Sequence, residues 1–126
     1  MRRWCCRIPH TPPRALSRRI DLQHAKLIKE TGGVIGVWTN GGDFSGFDAF
    51  ANGIVKMVDA VGIDHVGIGS DMNGLVRPMM ASYLEFPDLI APLFKYFTDD
   101  EIRKIVGGNY LRVFEKVTAA TGKKSI

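Results

Sequence analysis

Cysteine is almost absent: two of 126 residues, adjacent at Cys5 and Cys6. Neighbouring thiols make a poor disulfide framework, which points to a reducing compartment, and without a second pair they are weak evidence for a metal site. Long apolar runs are missing too, since none approaches the roughly 18 residues of a membrane span. The amino-terminal arginines are not followed by an apolar h-region, which argues against a secretory signal. No repeat or low-complexity tract interrupts the chain. What remains is an expected soluble, cytoplasmic protein, 45% hydrophobic and long enough for one domain with a real core.

The net charge of +4 suggests nucleic acid, but its distribution does not. Arg2, Arg3, Arg7, Arg14, Arg18 and Arg19 all precede the first acid, Asp21. Without them the 17 Lys+Arg fall to 11 against 13 Asp+Glu, a body of about −2. A nucleic-acid face needs cations clustered on a folded surface, with stacking aromatics for a single strand. Here the excess is a short arginine-rich leader, so no nucleic-acid partner is expected.

Helical and strand patterns alternate along the chain. Leu22, Ala25, Leu27 and Ile28 fall at helical spacing between Asp21 and Thr31, and Gly32-Gly33 is a stop signal. Gly33 to Trp38 reads as a strand, apolar and bounded by glycines. Phe47 to Val61 reads as an amphipathic helix with Phe50, Ile54, Met57, Val58 and Val61 on one side. A Gly62-Ile63-Asp64 turn leads into His65-Val-Gly-Ile-Gly-Ser-Asp71, an apolar run that stops at a carboxylate. A loop then runs from Asn73 to about Glu85. Further helices are expected over Pro87–Tyr96, from a cap at Asp99 or Asp100 (Thr98 is the alternative) through Ile105, and from Asn109 to Ala119 after Gly107-Gly108. In the last of these, Leu111, Val113, Phe114 and Val117 are the apolar positions.

Helix, strand, helix, strand, helix implies parallel strands with crossover helices. Two clear strands are too few for a covered parallel sheet, and a complete eight-stranded α/β barrel needs about 250 residues. The expected fold is therefore α/β, the carboxy-terminal portion of a larger architecture. Asp71 stands where a buried parallel strand ends, the rim on which such folds place their chemistry.

Three runs carry a family resemblance: Gly32-Gly-Val-Ile-Gly-Val-Trp38, Gly62-Ile-Asp-His-Val-Gly-Ile-Gly-Ser-Asp-Met-Asn-Gly74, and Gly107-Gly-Asn-Tyr-Leu-Arg-Val-Phe114. In this order they resemble the carboxy-terminal third of the membrane dipeptidase (renal dipeptidase-like, peptidase M19) family. Those enzymes are (β/α)8 TIM-type barrels of the amidohydrolase kind that hydrolyse dipeptides with two zinc ions. The likeness extends from His10 to about Val117. It implies an irregular basic leader over 1–9 and a partial dipeptidase-type barrel domain over 10–126.

Within the resemblance, Asp71 matches the family's acid beside the metals. A carboxylate there can take the proton of the attacking water and later protonate the leaving amine. Its bland alternative is an aspartate capping a turn through its own backbone. His10, in His10-Thr-Pro-Pro-Arg-Ala-Leu16, resembles a strand-end histidine that binds one Zn²⁺; the alternative is a surface imidazole. Arg18 takes the place of the arginine that grips the substrate's terminal carboxylate, and its alternative is a solvated charge before a helix. His24 is expected to be exposed and His65 structural, at the strand end away from the rim. Met79 and Met80 either line a pocket or fill a gap.

The family's amino-terminal His-x-Asp metal pair, its bridging glutamate and the first of its two later histidines have no counterpart in these 126 residues. A catalytic zinc normally needs three protein ligands and an open position. Two readings follow. In one, the chain supplies the acid, one zinc ligand and a substrate arginine to a metallodipeptidase and is inactive alone. In the other, it is a non-catalytic α/β fragment that acts by association, as a homo-oligomer or through its open sheet edges against a partner chain.

Overall fold

The computed structural model describes residues 20–120, and its first element starts at a capping aspartate. The Asp21 carboxylate accepts from the His24 N–H at 2.8 Å, satisfying one of the orphan donors of helix α1, Leu22–Glu30. The helix closes as the two glycines announce: Gly33 N–H donates to Ile28 O and Gly32 N–H to Lys29 O, both at 2.9 Å. Gly32 sits at φ +78°, the left-handed turn that such a double closure requires.

Strands β1, Ile35–Trp38, and β2, Val66–Gly69, pair in parallel, with Ile35 opposite Val66 and Trp38 opposite Gly69. Helix α2, Phe47–Val61, is the crossover between them. Its buried residues Phe50, Ala51, Ile54, Met57 and Val61 recur at helical spacing. They share one core with Ile35, Val37 and Val66 from the aliphatic face of the sheet. Leu89, Leu93, Ile102 and Ile105 complete that core from the carboxy-terminal helices.

The other face of the sheet is glycine except for Trp38: Gly36 lies opposite Gly67, and Gly69 lies opposite Trp38. Tyr110 occupies the space that side chains would take. A Cβ on Gly67 would stand 2.5 Å from the Tyr110 ring, and one on Gly36 would stand 2.5 Å from its hydroxyl.

Beyond β2 the sequence expectations meet two corrections. The single helix expected over Pro87–Tyr96 is instead α3, Phe86–Ile90, followed by a tighter 3-10 stretch, Ala91–Lys95. Pro92 is the cause, because it lacks an N–H and its ring crowds the carbonyl four residues back. Helix α4, Asp99–Arg103, is capped by Thr98, with Asp99 and Asp100 in its first turn. Thr98 and Glu101 form a reciprocal capping box, the Thr98 N–H donating to Glu101 Oε2 at 2.8 Å.

Gly107-Gly108 is not a break either. A π-helical segment, Lys104–Gly108, joins α4 to α5, Asn109–Ala120, and the Asn109 N–H reaches Lys104 O five residues back. The apolar positions of α5 are largely outward: Leu111, Phe114 and Val117 are each more than half exposed. Its buried residue is Asn109. No helix among the described residues is long and apolar enough to cross a membrane.

Candidate functional site at the carboxyl rim of the strands

Alternation along β1 buries Ile35 and Val37 and continues past the strand to Thr39, which is 1% exposed. The Thr39 N–H donates to Gly69 O at 3.1 Å, extending the ladder, and its hydroxyl donates to Ser70 O at 3.0 Å. Asp71 follows at once. Its φ of +41° is the sole positive value outside glycine among the described residues. The Asp71 carbonyl accepts from the Gly74 N–H at 2.9 Å, closing a turn over 71–74. Its carboxylate lies against Gly74, where a Cβ would strike it. Asp71 is exposed to solvent. It is therefore both the turn residue of the bland reading and an accessible carboxylate at a strand's end.

The loop after β2 folds back over the loop after β1. Gly41 N–H donates to Arg77 O at 2.8 Å, Met79 N–H donates to Thr39 O at 3.2 Å, and Asn40 bridges to Pro78. Asn40 braces its own loop, its Oδ1 accepting from Gly42 N–H at 3.0 Å while its Nδ2 donates to Asp43 Oδ2 at 3.2 Å. Two open depressions result. One of about 300 Å³ is lined by Trp38, Asn40, Gly74, Leu75, Val76 and Arg77. The other, about 320 Å³, includes Phe44, Phe47 and Met79 in its wall. The methionines divide the two roles foreseen for them: Met79 lines a pocket, and Met80, 1% exposed, fills the core.

His10 and Arg18 lie outside the described residues, as do the 1–9 leader and both cysteines. Asp71 is thus the one sequence-named site residue whose surroundings the structure gives. Among the described residues no three His, Cys, Asp or Glu side chains come together in a way that could hold a metal ion.

The opposite end of the strands is polar but structural. His65 Nδ1 lies 2.9 Å from Gly33 O, consistent with the expected structural role. His24 is exposed, as expected, and its Nδ1 is 3.1 Å from Asp21. The buried Asn109 donates from Nδ2 to Ile63 O at 2.7 Å and Val66 O at 2.8 Å. Lys104 pairs with Asp64 at 2.7 Å. That hydrogen bond holds the Asp64 carboxyl below its ordinary value, with the Lys104, His65 and Arg112 charges adding to it and burial opposing it.

The model of the membrane dipeptidase family, peptidase family M19, matches residues 11–125. The chain belongs to that family. Among its relatives, dipeptidase ataJ of Aspergillus terreus is 42% identical over 67 residues, which is 51% of this chain and 16% of the relative. Dipeptidase verJ of Clonostachys rogersoniana is 38% identical over 78 residues, 58% of this chain and 20% of the relative. The crystal structure of dipeptidase AC, a metallopeptidase of family M19, superimposes with a TM-score of 0.67 at 23% identity, over 74% of this chain and 31% of that one. The chain thus spans a fifth or less of these two curated relatives and about a third of the solved one. As an M19 chain it has the expected fold class, an α/β arrangement with parallel strands that corresponds to part of an M19 barrel.

Sequence reasoning passed over two residues of this family member that hold the strand ends. Thr39 was legible as the next step of the Ile35, Val37 alternation, since a threonine on a buried parity needs a hydroxyl partner. Asn109 carried no such signal, because it reads as an ordinary polar residue at a helix start.

Proposed function

We propose that this chain contributes the carboxyl rim of a dipeptide-hydrolysing site, with Asp71 as its proton-handling group. The observation that carries the reading is the exposed Asp71 carboxylate at the end of a parallel strand in an M19 chain. In the hydrolysis, water attacks the amide carbon and gives a proton to the carboxylate, which passes it to the nitrogen as the C–N bond breaks. Arg18 would grip the terminal carboxylate of the dipeptide through both guanidinium edges. The reading includes dependence on zinc, with His10 as one ligand. The described residues do not make a zinc site, so the other ligands would come from outside them. It also keeps the chain cytoplasmic.

The reading keeps this chain inactive alone, so the test is zinc content by mass spectrometry and dipeptide turnover in the protein that carries the remaining ligands, with Asp71 intact and with Asp71→Asn. The reading expects bound zinc in both and a loss of roughly 10²–10⁴-fold in kcat for the variant, the usual scale of a lost general acid–base. Unchanged turnover in Asp71→Asn would sink it. A second reading, a non-catalytic chain that works by association, is favoured by the outward Leu111, Phe114 and Val117 of α5. A chain that sediments as an oligomer and still shows neither zinc nor turnover once the remaining ligands are supplied would support it.

A further inference from the structure

We infer that Thr39 is the positioning residue that sets the backbone conformation of Asp71 and so aims its carboxylate. The inference deepens the proposed function and rests on Asp71 being its proton handler. The peptide unit is a rigid plane, so its carbonyl and its N–H turn together. The plane before Asp71 carries Ser70 O, which the Thr39 hydroxyl holds at 3.0 Å. The plane after Asp71 carries Asp71 O, which the Gly74 N–H holds at 2.9 Å. Both planes flanking one Cα are therefore pinned, and the rotation between them places φ at +41°.

A non-glycine residue leaves the left-handed region readily unless its surroundings hold it there, although aspartate is among the more tolerant. Thr39 is a rigid anchor for this purpose. It is 1% exposed, its own N–H is bonded to Gly69 O, and its carbonyl accepts from the Met79 N–H. Its branched Cβ further restricts the rotamers open to the hydroxyl. Water does not readily replace a hydroxyl at so buried a position. Without it, Ser70 O loses this partner and the 70–71 plane is free to turn. Asp71 then relaxes to negative φ, carrying its carboxylate away from the reacting atoms.

Thr39→Val keeps the shape and removes the hydroxyl, whereas Thr39→Ser keeps the hydroxyl. On the full chain, the intraresidue HN–Hα nuclear Overhauser effect of Asp71, strong only at positive φ, together with its backbone carbon shifts reports the sign of φ. The expected result is loss of the left-handed signature in Thr39→Val and its return in Thr39→Ser. Where the chain turns over a dipeptide, kcat should fall roughly tenfold to a hundredfold in Thr39→Val with KM unchanged, the scale of a small misplacement of a reacting group. If Thr39→Val keeps the left-handed signature, the inference is overturned, whatever its melting temperature. Thr39→Ala serves the same comparison should the valine variant not fold. A wild-type protein that carries the remaining ligands and still hydrolyses no dipeptide would remove the dipeptidase reading, while the Asp71 signature would still decide the role of Thr39.

Discussion

Arg112 Nη2 donates to the main-chain oxygen of Asp64 at 2.8 Å, joining groups 48 residues apart. The same guanidinium reaches Gly32 O at 3.1 Å through Nη1. One planar fork thus ties the end of α1 to the approach to β2. With Asn109 one turn earlier, α5 latches the amino ends of the strands while the loops after β1 and β2 build the carboxyl rim. The two ends of this short sheet are held by different chemistry, so their variants should separate stability from activity.

Asn109→Ala should cost about 1–3 kcal/mol of stability, because Ile63 O and Val66 O lose their shared donor in a buried setting. Asn109→Asp should be worse, since a carboxylate has no N–H and would point charge at two carbonyl oxygens. Urea unfolding followed by circular dichroism measures both.

Gly67→Ala should destabilise by about 1–3 kcal/mol, the range for overpacking, because its methyl group meets the Tyr110 ring. Combined with Tyr110→Ala, the second change should add much less than it costs alone, the non-additivity of residues in contact. Equal costs in the two backgrounds would show that the ring does not press on the strand.

The extent to which this architecture was legible in the sequence differs from element to element. Helix α2 was readable to the residue, because its buried positions are all apolar and both its ends are glycines. The strands were readable as bounded apolar runs, and Asp71 as the carboxylate at the tip of one. Pro92 stands in plain view inside the expected Pro87–Tyr96 helix, and its missing N–H proved decisive. Thr98 lost in the reading to two acids that sit in the first turn and favour the helix dipole without capping it. His10 and Arg18 came from motif resemblance alone, and nothing in the described residues bears on them.

Acid should weaken the Lys104–Asp64 link. Asp64 is held below the ordinary 3.8, so its contribution is fully present above that value and is lost as pH falls through the lower folded one. Both side chains are about half exposed, so screening keeps the effect under about 1 kcal/mol. Lys104→Met should lower the melting temperature slightly at neutral pH and not at all once Asp64 is protonated in both states. A thermal series down through pH 3 reads this out.

Alkali should act on Tyr110. Burial pushes its phenol above the ordinary 10.0, so the neutral form is favoured in the folded chain. Its contribution is present below about pH 10 and declines as pH rises toward the folded value. Tyr110→Phe should flatten the alkaline limb of a stability–pH curve relative to wild type, leaving the part due to other groups.

Asp71 should tolerate removal of its charge but not of its conformation. Asp71→Asn should change stability by less than about 0.5 kcal/mol, since asparagine also accepts positive φ. Asp71→Val should cost about 1–3 kcal/mol, because a branched Cβ is strained there. Thermal melts of the two variants decide this, and they show whether lost turnover in Asp71→Asn reflects chemistry rather than misfolding.

The π segment over Lys104–Gly108 acts as a phase corrector. An α-helix turns about 100° per residue, but a π turn takes up one extra residue within a single revolution, so the residues downstream keep the faces they would have without it. With the present count, Ile105 faces the core and Asn109 and Arg112 face the strand ends. Deleting Gly107 would turn the join into regular α-helix and leave Asn109 and Arg112 facing the strand ends. Forcing all five residues into regular α-helix would instead swing α5 by about 100° and carry both latch residues off the carbonyls they hold. The π turn thus lets a rod with one residue more present the same face to the sheet.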